Sequence, residues 1–192
     1  MVIHVNRAMR HERNLDRAAV FQLPPGWIAA GTVAGRIARC TLPRPDRSAA
    51  LAALGVLGSG GLAVVPEGDE LLSLVGDLLQ SYFAGRPTAF DLPLALNERP
   101  HFTRHVLQAC AAIPYGTTVT YGELARNCGQ PAAARAVGQV MARNPIPIII
   151  PCHRVVGSGG RLTGFGGGLG LKAELLRLEA QALDGASAAA RA

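Results

Sequence analysis

The chain has 192 residues and 49% hydrophobic content, which suffice for one or two small domains and exclude a largely disordered protein. The formal net charge is +6, and 18 of the 19 basic residues are arginine. Residues 1–100 carry a net charge of +1 and residues 101–192 carry +5. A basic total alone does not establish a nucleic-acid partner, so the location of the positive excess in the second half is the informative observation.

Four cysteines lie far apart without a CxxC or CxH pair, which argues against a zinc ribbon and against a disulfide framework. We therefore expect a reducing compartment. No apolar run approaches the roughly 18–20 residues that span a membrane, and the N-terminus is too polar for a signal peptide. Composition thus predicts a cytoplasmic protein with no membrane partner.

The first elements in chain order are short. Residues 1–20 are charged and lack periodicity, so we expect a mobile leader there. Apolar runs separated by glycines over 21–42 predict strands and turns. A helix is predicted over 49–57, ended by the glycines of 58–61, and a strand over 62–65.

Longer helices follow. Apolar side chains recur at helical spacing between Glu70 and Phe83, and this helix is closed by Gly85 and Pro87. An extended connector is expected over 90–97. Apolar residues then mark a helix over 102–113 that stops at Pro114.

The next segment predicts two helices joined by a turn. Thr120 and Glu123 fit a capping box that opens a short helix, and Gly129 closes it. Pro131 suits the first position of a second helix, which extends to Arg143. This arrangement is a candidate helix-turn-helix, although any antiparallel helix pair gives a similar pattern.

The outward face of that second helix is nearly flat. At 100° per residue, Val137 and Met141 lie on one side, whereas alanines and Arg135 lie on the other. Small residues allow close approach to another surface, and an arginine among them could reach a phosphate or enter a base stack. The alternative is that an alanine-rich composition supplied these residues by itself.

A chemically reactive group follows the apolar run 146–150. This run is predicted to be a strand, and Cys152 and His153 come just after it. A cysteine beside a histidine could be a nucleophile and its base. The alternative is a buried inert cysteine, and neighbours on a strand point in opposite directions.

The last helix contains a carboxylate on its apolar side. Glu179 lies within the arc of leucines between residues 171 and 183, where an unpaired charge is costly. Pairing with His153 would raise the basicity of the imidazole and favour a Cys152 thiolate. Pairing with Arg154 would instead make Glu179 a purely structural residue, and spacing does not choose between them.

Eight glycines occupy the fourteen residues from Gly157 to Gly170. They fit neither phosphate-binding motif, GxxxxGK[ST] or GxGxxG. The segment is either a flexible linker or a loop whose backbone approaches a flat ligand.

Several motifs together resemble one protein family. They are FTRHVL at 102–107, IPYGTTVTYGELA at 113–125, AARAVG at 133–138, NPIPIIIPCHRVV at 144–156 and LTGFGGGL at 162–169. On these motifs, residues 102–179 resemble the O6-alkylguanine-DNA alkyltransferases, also called methylated-DNA–protein-cysteine methyltransferases. The similarity weakens through YFAGRP at 82–87 and fades before about residue 65.

The resemblance implies an α+β fold of two domains. We expect a leader over 1–20 and an N-terminal α/β domain with a small antiparallel sheet, plus its connector, over 21–97. A mainly helical C-terminal domain over 98–183 would carry the helix-turn-helix and the active site, and a flexible tail would occupy 184–192.

The resemblance also implies roles for individual residues. Cys152 would accept the alkyl group irreversibly, and His153, polarised by Glu179, would deprotonate it through a water. Asn144 would order the active-site turn, and Tyr121 would contact guanine N3 and assist its protonation. The expected DNA-binding residues are Arg135, Ala133, Ala134, Ala136, Gly138 and Tyr121. The expected base-pocket residues are Met141, Val155, Leu162, Phe165 and Gly166.

The implied partner is double-stranded DNA carrying O6-alkylguanine, with the damaged base flipped out from the minor-groove side. No cofactor, metal or obligate protein partner is expected, and the protein is expected to be a monomer. The chain departs from the family at Gln108, where tryptophan is common, and over 1–65, which lack the usual strands. The competing hypothesis is a non-catalytic sensor of alkyl damage or a helix-turn-helix DNA-binding protein.

Overall fold

The first half of the chain forms a four-stranded sheet in the order β3-β2-β1-β4. The computed structural model describes residues 15–55, 63–64 and 69–189. The strands are β1 (Arg17–Leu23), β2 (Gly26–Val33), β3 (Arg36–Cys40) and β4 (Ala63–Val64). The first three are antiparallel neighbours, and β4 lies parallel to β1 at the edge. The predicted small antiparallel sheet is therefore confirmed, with one parallel edge strand.

Two helices cover opposite faces of this sheet. α1 (Arg47–Leu54) begins at Asp46, whose carboxylate accepts from the Ala49 N–H, and ends at Gly55 in the left-handed region. α2 (Glu70–Phe83) matches the predicted helix and is capped by Asp69. Because strand side chains alternate between faces, β1 and β2 contribute to both clusters: Ala18 and Ala29 belong to the small cluster under α1, and Ala19 and Ile28 belong to the main core under α2.

The second half is mainly helical. Its elements are α3 (His101–Ala111), β5 (Val119–Thr120), α4 (Tyr121–Asn127), α5 (Ala134–Ala142), β6 (Val155–Val156) and α6 (Gly168–Ala189). The predicted capping box of Thr120 and Glu123 is present. β5 and β6 form a parallel pair that sequence patterns did not predict. This pair holds the start of α4 beside the segment that contains Cys152.

One hydrophobic core joins the two halves. Leu79 and Tyr82 of α2 belong to the same buried cluster as Val106 of α3, Val137 of α5 and Cys152. The predicted division at residues 97 and 98 therefore does not separate two cores. The connector 90–97 is extended, as predicted, and pairs with β3 through a bridge between Leu94 and Ile37.

Three predicted boundaries are wrong. Arg17 to Val20, assigned to the leader, belong to β1, because they pair with β2. Residues 184–189, assigned to the flexible tail, continue α6. Pro131 does not begin the second helix, since residues 131–133 form a turn and α5 starts at Ala134.

Other predictions are shifted or lie partly outside the described residues. The helix predicted over 49–57 is α1 and ends at Leu54, and the glycines 58–61 and residues 1–14 lie outside the described ranges. α4 and α5 pack against each other across a turn, and their assignment as a helix-turn-helix remains a prediction. Within the described ranges, no helix is both long and apolar enough to cross a membrane.

Candidate active site

A strained turn precedes Cys152. The predicted strand over 146–150 is wrong, because Ile148 has φ 74° and residues 147–150 form a turn. A branched side chain in the left-handed region is strained. The Asn144 side chain closes the turn, since its amide donates to Ile150 O at 2.8 Å and its oxygen accepts from Ile146 N at 3.0 Å.

Cys152, His153 and Arg154 form a short 3-10 helix that begins after this turn. All three side chains are buried, with exposed fractions of 6%, 0% and 5%. A tight helix directs successive side chains about 120° apart, so neighbours in sequence reach different surroundings. Adjacency alone therefore does not bring Cys152 and His153 into contact, whereas the short helix places both in one buried site.

Glu179 of α6 is the centre of a buried polar cluster, with 1% of its surface exposed. Its Oε1 accepts from Tyr82 OH and from His153 Nε2, each at 2.8 Å, and from Arg154 Nη2 at 3.0 Å. Its Oε2 accepts from Arg154 Nε at 3.0 Å and from Gly116 N at 2.9 Å. The two alternative partners of Glu179, His153 and Arg154, are both bound to it.

Charge in this cluster is set by competition between burial and hydrogen bonding. Burial raises the pKa of Glu179, but hydrogen bonds from His153 and Arg154 outweigh it and lower the pKa to about 2. Burial lowers the pKa of His153, and this effect outweighs the opposing hydrogen bond and charge of Glu179. The carboxylate is therefore ionised, and His153 is a neutral imidazole at neutral pH.

The proton of neutral His153 lies on Nε2. This nitrogen faces the ionised carboxylate, which only accepts hydrogen bonds, so Nε2 is the donor. Nδ1 is then an acceptor, and it is buried without a hydrogen-bond partner among the described residues. The arrangement leaves one basic lone pair available at Nδ1.

Cys152 rests as a thiol. Burial raises the pKa of Cys152, while the Asn144 amide, the Lys172 charge and nearby backbone N–H groups lower it. The Glu179–His153 pair was expected to favour a thiolate. In the protein without DNA, burial of Cys152 and His153 outweighs this stabilisation of the thiolate.

Lys172 of α6, the single lysine of the chain, is fully buried beside the same site. Its Nζ donates to Val155 O at 2.6 Å and to Thr163 O at 3.1 Å. It thereby ties the strand that follows Cys152 to the glycine-rich segment. The Nζ also lies 6.0 Å from the centroid of the Tyr121 ring.

Tyr121 begins α4 and faces both α5 and the glycine-rich segment. Its hydroxyl accepts from Thr163 Oγ1 at 3.2 Å, so its own proton is free to be donated. A Cβ added at Gly138 of α5 would lie 3.9 Å from the Tyr121 ring, which shows how closely the two helices approach there. β5, by pairing with β6, sets the position from which Tyr121 projects.

Four of the predicted DNA-binding residues lie together at the start of α5, whereas Tyr121 begins α4 and Gly138 lies further along α5. Ala133 is its N-cap, Ala134 its first residue, and Arg135 is exposed beside half-buried Ala136. The predicted pocket residues differ in how deeply they are buried. Among these, Met141 and Val155 are buried, the Phe165 ring lies 6.4 Å from the His153 ring, Leu162 is 36% exposed and Gly166 is exposed.

A cavity of about 450 Å³ lies elsewhere, against β2, β3 and residues 95–100. None of the predicted site residues lines it. Over the described ranges, no three His, Cys, Asp or Glu side chains are grouped closely enough to hold a metal ion.

Comparison with known proteins identifies the family. Residues 101–181 match the family model of the 6-O-methylguanine DNA methyltransferase DNA-binding domain. The methylated-DNA–protein-cysteine methyltransferase of Methanosarcina acetivorans is 50% identical over 113 residues, which are 59% of this chain and 72% of that protein. The chain belongs to the methylated-DNA–protein-cysteine methyltransferase family. It is thus a DNA-repair transferase that moves a methyl group from DNA to a protein cysteine.

Other members agree in sequence and in fold. The Mycobacterium tuberculosis methyltransferase is 52% identical over 103 residues, which are 54% of this chain and 62% of that protein. The crystal structure of Mycobacterium tuberculosis OGT in complex with DNA covers 86% of this chain at a TM-score of 0.71 and 36% identity. This match spans 94% of that structure, so both halves of the fold are shared.

Sequence reasoning missed three residues whose side chains contact the candidate active site. Tyr82 was counted only as part of the apolar face of α2, and nothing in the pattern distinguishes its hydroxyl. Thr163 lay in a segment without periodicity. Lys172 had a detectable signal, because at about 100° per residue it falls beside Glu179 in the apolar arc of α6.

Proposed function

We propose that this protein repairs O6-alkylguanine in duplex DNA by transferring the alkyl group to Cys152 Sγ, once per molecule. The observation that carries the proposal is the buried His153–Glu179 pair beside Cys152, with His153 Nδ1 available as a base. The sulfur attacks the alkyl carbon, the carbon–O6 bond breaks, and its electron pair passes to the guanine. The product thioether is stable, and no described side chain is placed to cleave it.

The thiol proton is the first to move. His153 Nδ1 accepts it through a water, and Nε2 remains bonded to Glu179, which stabilises the resulting imidazolium. The thiolate forms next to the Asn144 amide and the Lys172 charge, both of which favour the ionised sulfur. A buried, oriented nucleophile of this kind reacts without a metal or a cofactor.

The leaving guanine requires a proton. Tyr121 is suited to supply it at N3, because its hydroxyl accepts from Thr163 and therefore directs its own proton away from that contact. Tyr121 then regains a proton from solvent and His153 releases one to solvent, so the net result is transfer of one proton from the Cys152 thiol to the base. Carbonyls of Cys152 and Val155 would accept from the exocyclic amine, with Met141, Leu162, Phe165 and Gly166 around the ring.

Entry of the base requires it to leave the duplex. Flipping costs a few kcal/mol of unstacking and unpairing, which contacts in the groove must offset. The small residues Ala133, Ala134, Ala136 and Gly138 allow close approach of α5 to the minor groove, and exposed Arg135 projects from it to fill the space left by the base.

Transfer is tested with a duplex oligonucleotide that carries O6-[³H-methyl]guanine. We expect one label per protein molecule, located on the peptide that contains Cys152, and no label on the Cys152→Ala variant. Transfer by Cys152→Ala would refute the assigned nucleophile. Tight retention of modified DNA with the lesion intact would instead establish the damage-sensor hypothesis.

Flipping is tested by comparing substrates. We expect Arg135→Ala to slow repair of a duplex lesion far more than reaction with free O6-benzylguanine, because only the duplex requires extrusion of the base. Arg177→Ala, which removes an exposed arginine from α6, is the charge-matched control. Equal losses of Arg135→Ala on both substrates would contradict the flipping role.

A further inference from the structure

Tyr82 connects the first half of the chain to the reacting groups. Its hydroxyl lies 2.8 Å from Glu179 Oε1 and 3.2 Å from His153 Nε2, and the whole side chain is buried. The other members of the cluster come from residues 113–179. α2 therefore contributes a polar group to a site that otherwise belongs to the C-terminal half.

Glu179 Oε1 receives more donors than it has lone pairs. Tyr82 OH, His153 Nε2 and two nitrogens of Arg154 all lie within 3.2 Å of this one oxygen. A carboxylate oxygen offers about two acceptor sites, so these donors compete. Tyr82 keeps its proton, because burial and the adjacent carboxylate raise its pKa far above the ordinary value.

We propose that Tyr82 shares Glu179 Oε1 with His153 and thereby restrains His153 as a base, which adds to the effect of burial in keeping Cys152 a thiol in the protein without DNA. A protein that reacts only once has a physical reason for such restraint, since alkylation or oxidation of a free thiolate would consume it. The inference rests on the proposed role of His153 as the base for Cys152.

The charged groups around His153 and Glu179 determine whether loss of the Tyr82 hydroxyl raises or lowers the pKa of His153. The titratable or charged neighbours of His153 and Glu179 are Tyr82 from α2, Tyr115 from the turn after α3, Arg154 from the 3-10 helix and Lys172 from α6, and Cys110 of α3 interacts with Cys152 and Arg154 beside them. Of these, Tyr82 and Arg154 donate to Glu179. Loss of the Tyr82 donor leaves the carboxylate a stronger acceptor for His153, so the pKa of His153 rises.

The test measures Cys152 alkylation by iodoacetamide between pH 5 and pH 9, without DNA, by mass spectrometry of the Cys152 peptide. The alkylation rate is expected to rise with pH to a plateau. Below the midpoint of this rise His153 is protonated, and the rate depends on ionisation of the Cys152 thiol, which Tyr82 does not change. On the plateau His153 is neutral, and the rate depends on transfer of the thiol proton to it. For Tyr82→Phe we expect equal rates at low pH, a plateau about three- to tenfold higher, and a midpoint higher by about 0.5–1 unit.

Tyr115→Phe is the matched control. Its hydroxyl is buried without a hydrogen-bond partner among the described residues, and its ring lies 5.9 Å from the Tyr82 ring. We expect the wild-type profile for this variant. In an Arg154→Met/Glu179→Gln background, which lacks the shared carboxylate, Tyr82→Phe is expected to have no effect on the profile.

A Tyr82→Phe rate that is unchanged or lower at every pH overturns the inference, and so does an effect that persists without Glu179. Because iodoacetamide requires no DNA, these outcomes are independent of the labelled-oligonucleotide experiment. A protein that fails to accept methyl from DNA would refute the proposed function while leaving the Tyr82 measurement interpretable.

Discussion

Removal of one charge from the buried Glu179–Arg154 pair is expected to destabilise the protein strongly. Glu179→Gln leaves the Arg154 guanidinium, 5% exposed, without a counter-charge, and weakens the hydrogen bonds of Tyr82 OH and Gly116 N. Breaking a buried pair by removing one partner typically costs about 3–5 kcal/mol. Arg154→Met leaves the carboxylate with neutral donors only, so we expect a cost of similar size.

The double variant Arg154→Met/Glu179→Gln removes both charges together. It is expected to cost about 2–3 kcal/mol less than the sum of the single variants, because neither charge is left unpaired. Urea denaturation followed by circular dichroism measures all three free energies of unfolding. If a single variant is unfolded without urea, recovery of the fold in the double variant demonstrates the same coupling. Costs that add within about 0.5 kcal/mol would refute the account of Glu179 and Arg154 as a coupled buried pair.

Three further predictions concern the same site. Asn144→Ala is expected to lower the free energy of unfolding by about 1–3 kcal/mol, because it removes both bonds that close the strained turn at Ile148; urea denaturation measures this loss, and a neutral effect would contradict it. Lys172→Met removes a charge that lowers the pKa of Cys152, so alkylation of Cys152 by iodoacetamide at neutral pH is expected to slow, and an unchanged rate would exclude that influence. Stability is expected to fall on acidification, first below pH 6.5 as the unfolded state protonates His153 more readily than the folded state, and then between 4.5 and about 2 as Glu179 is protonated. Denaturation across this pH range tests the sign, and stability that rises toward pH 3 would refute it.

Local patterns predicted those features that depend on neighbouring residues. The helix from Glu70 to Phe83 follows from apolar spacing, and the Thr120–Glu123 capping box from two residues three positions apart. Errors arose where a distant partner decides the conformation. Arg17 to Val20 carry no periodicity of their own and become a strand because β2 pairs with them.

The turn before Cys152 is a second case in which the sequence pattern predicted the wrong conformation. The run 146–150 is apolar enough for a strand, yet Pro147 offers no N–H and the Asn144 side chain bonds both ends of the segment. A side chain that satisfies backbone groups competes with strand pairing. That outcome depends on where Asn144 lies in three dimensions, which composition and spacing do not contain.

By itself, the sequence determined the family, the positions of Cys152, His153 and Glu179, and the concentration of positive charge in the second half. Each of these follows from residue identity and short-range order. Only the tertiary structure decided that Glu179 binds both His153 and Arg154, that Tyr82 from α2 joins them, and that Lys172 borders the nucleophile. These contacts join residues 17 to 97 positions apart, and burial, which no pattern measures, decides that Cys152 rests as a thiol.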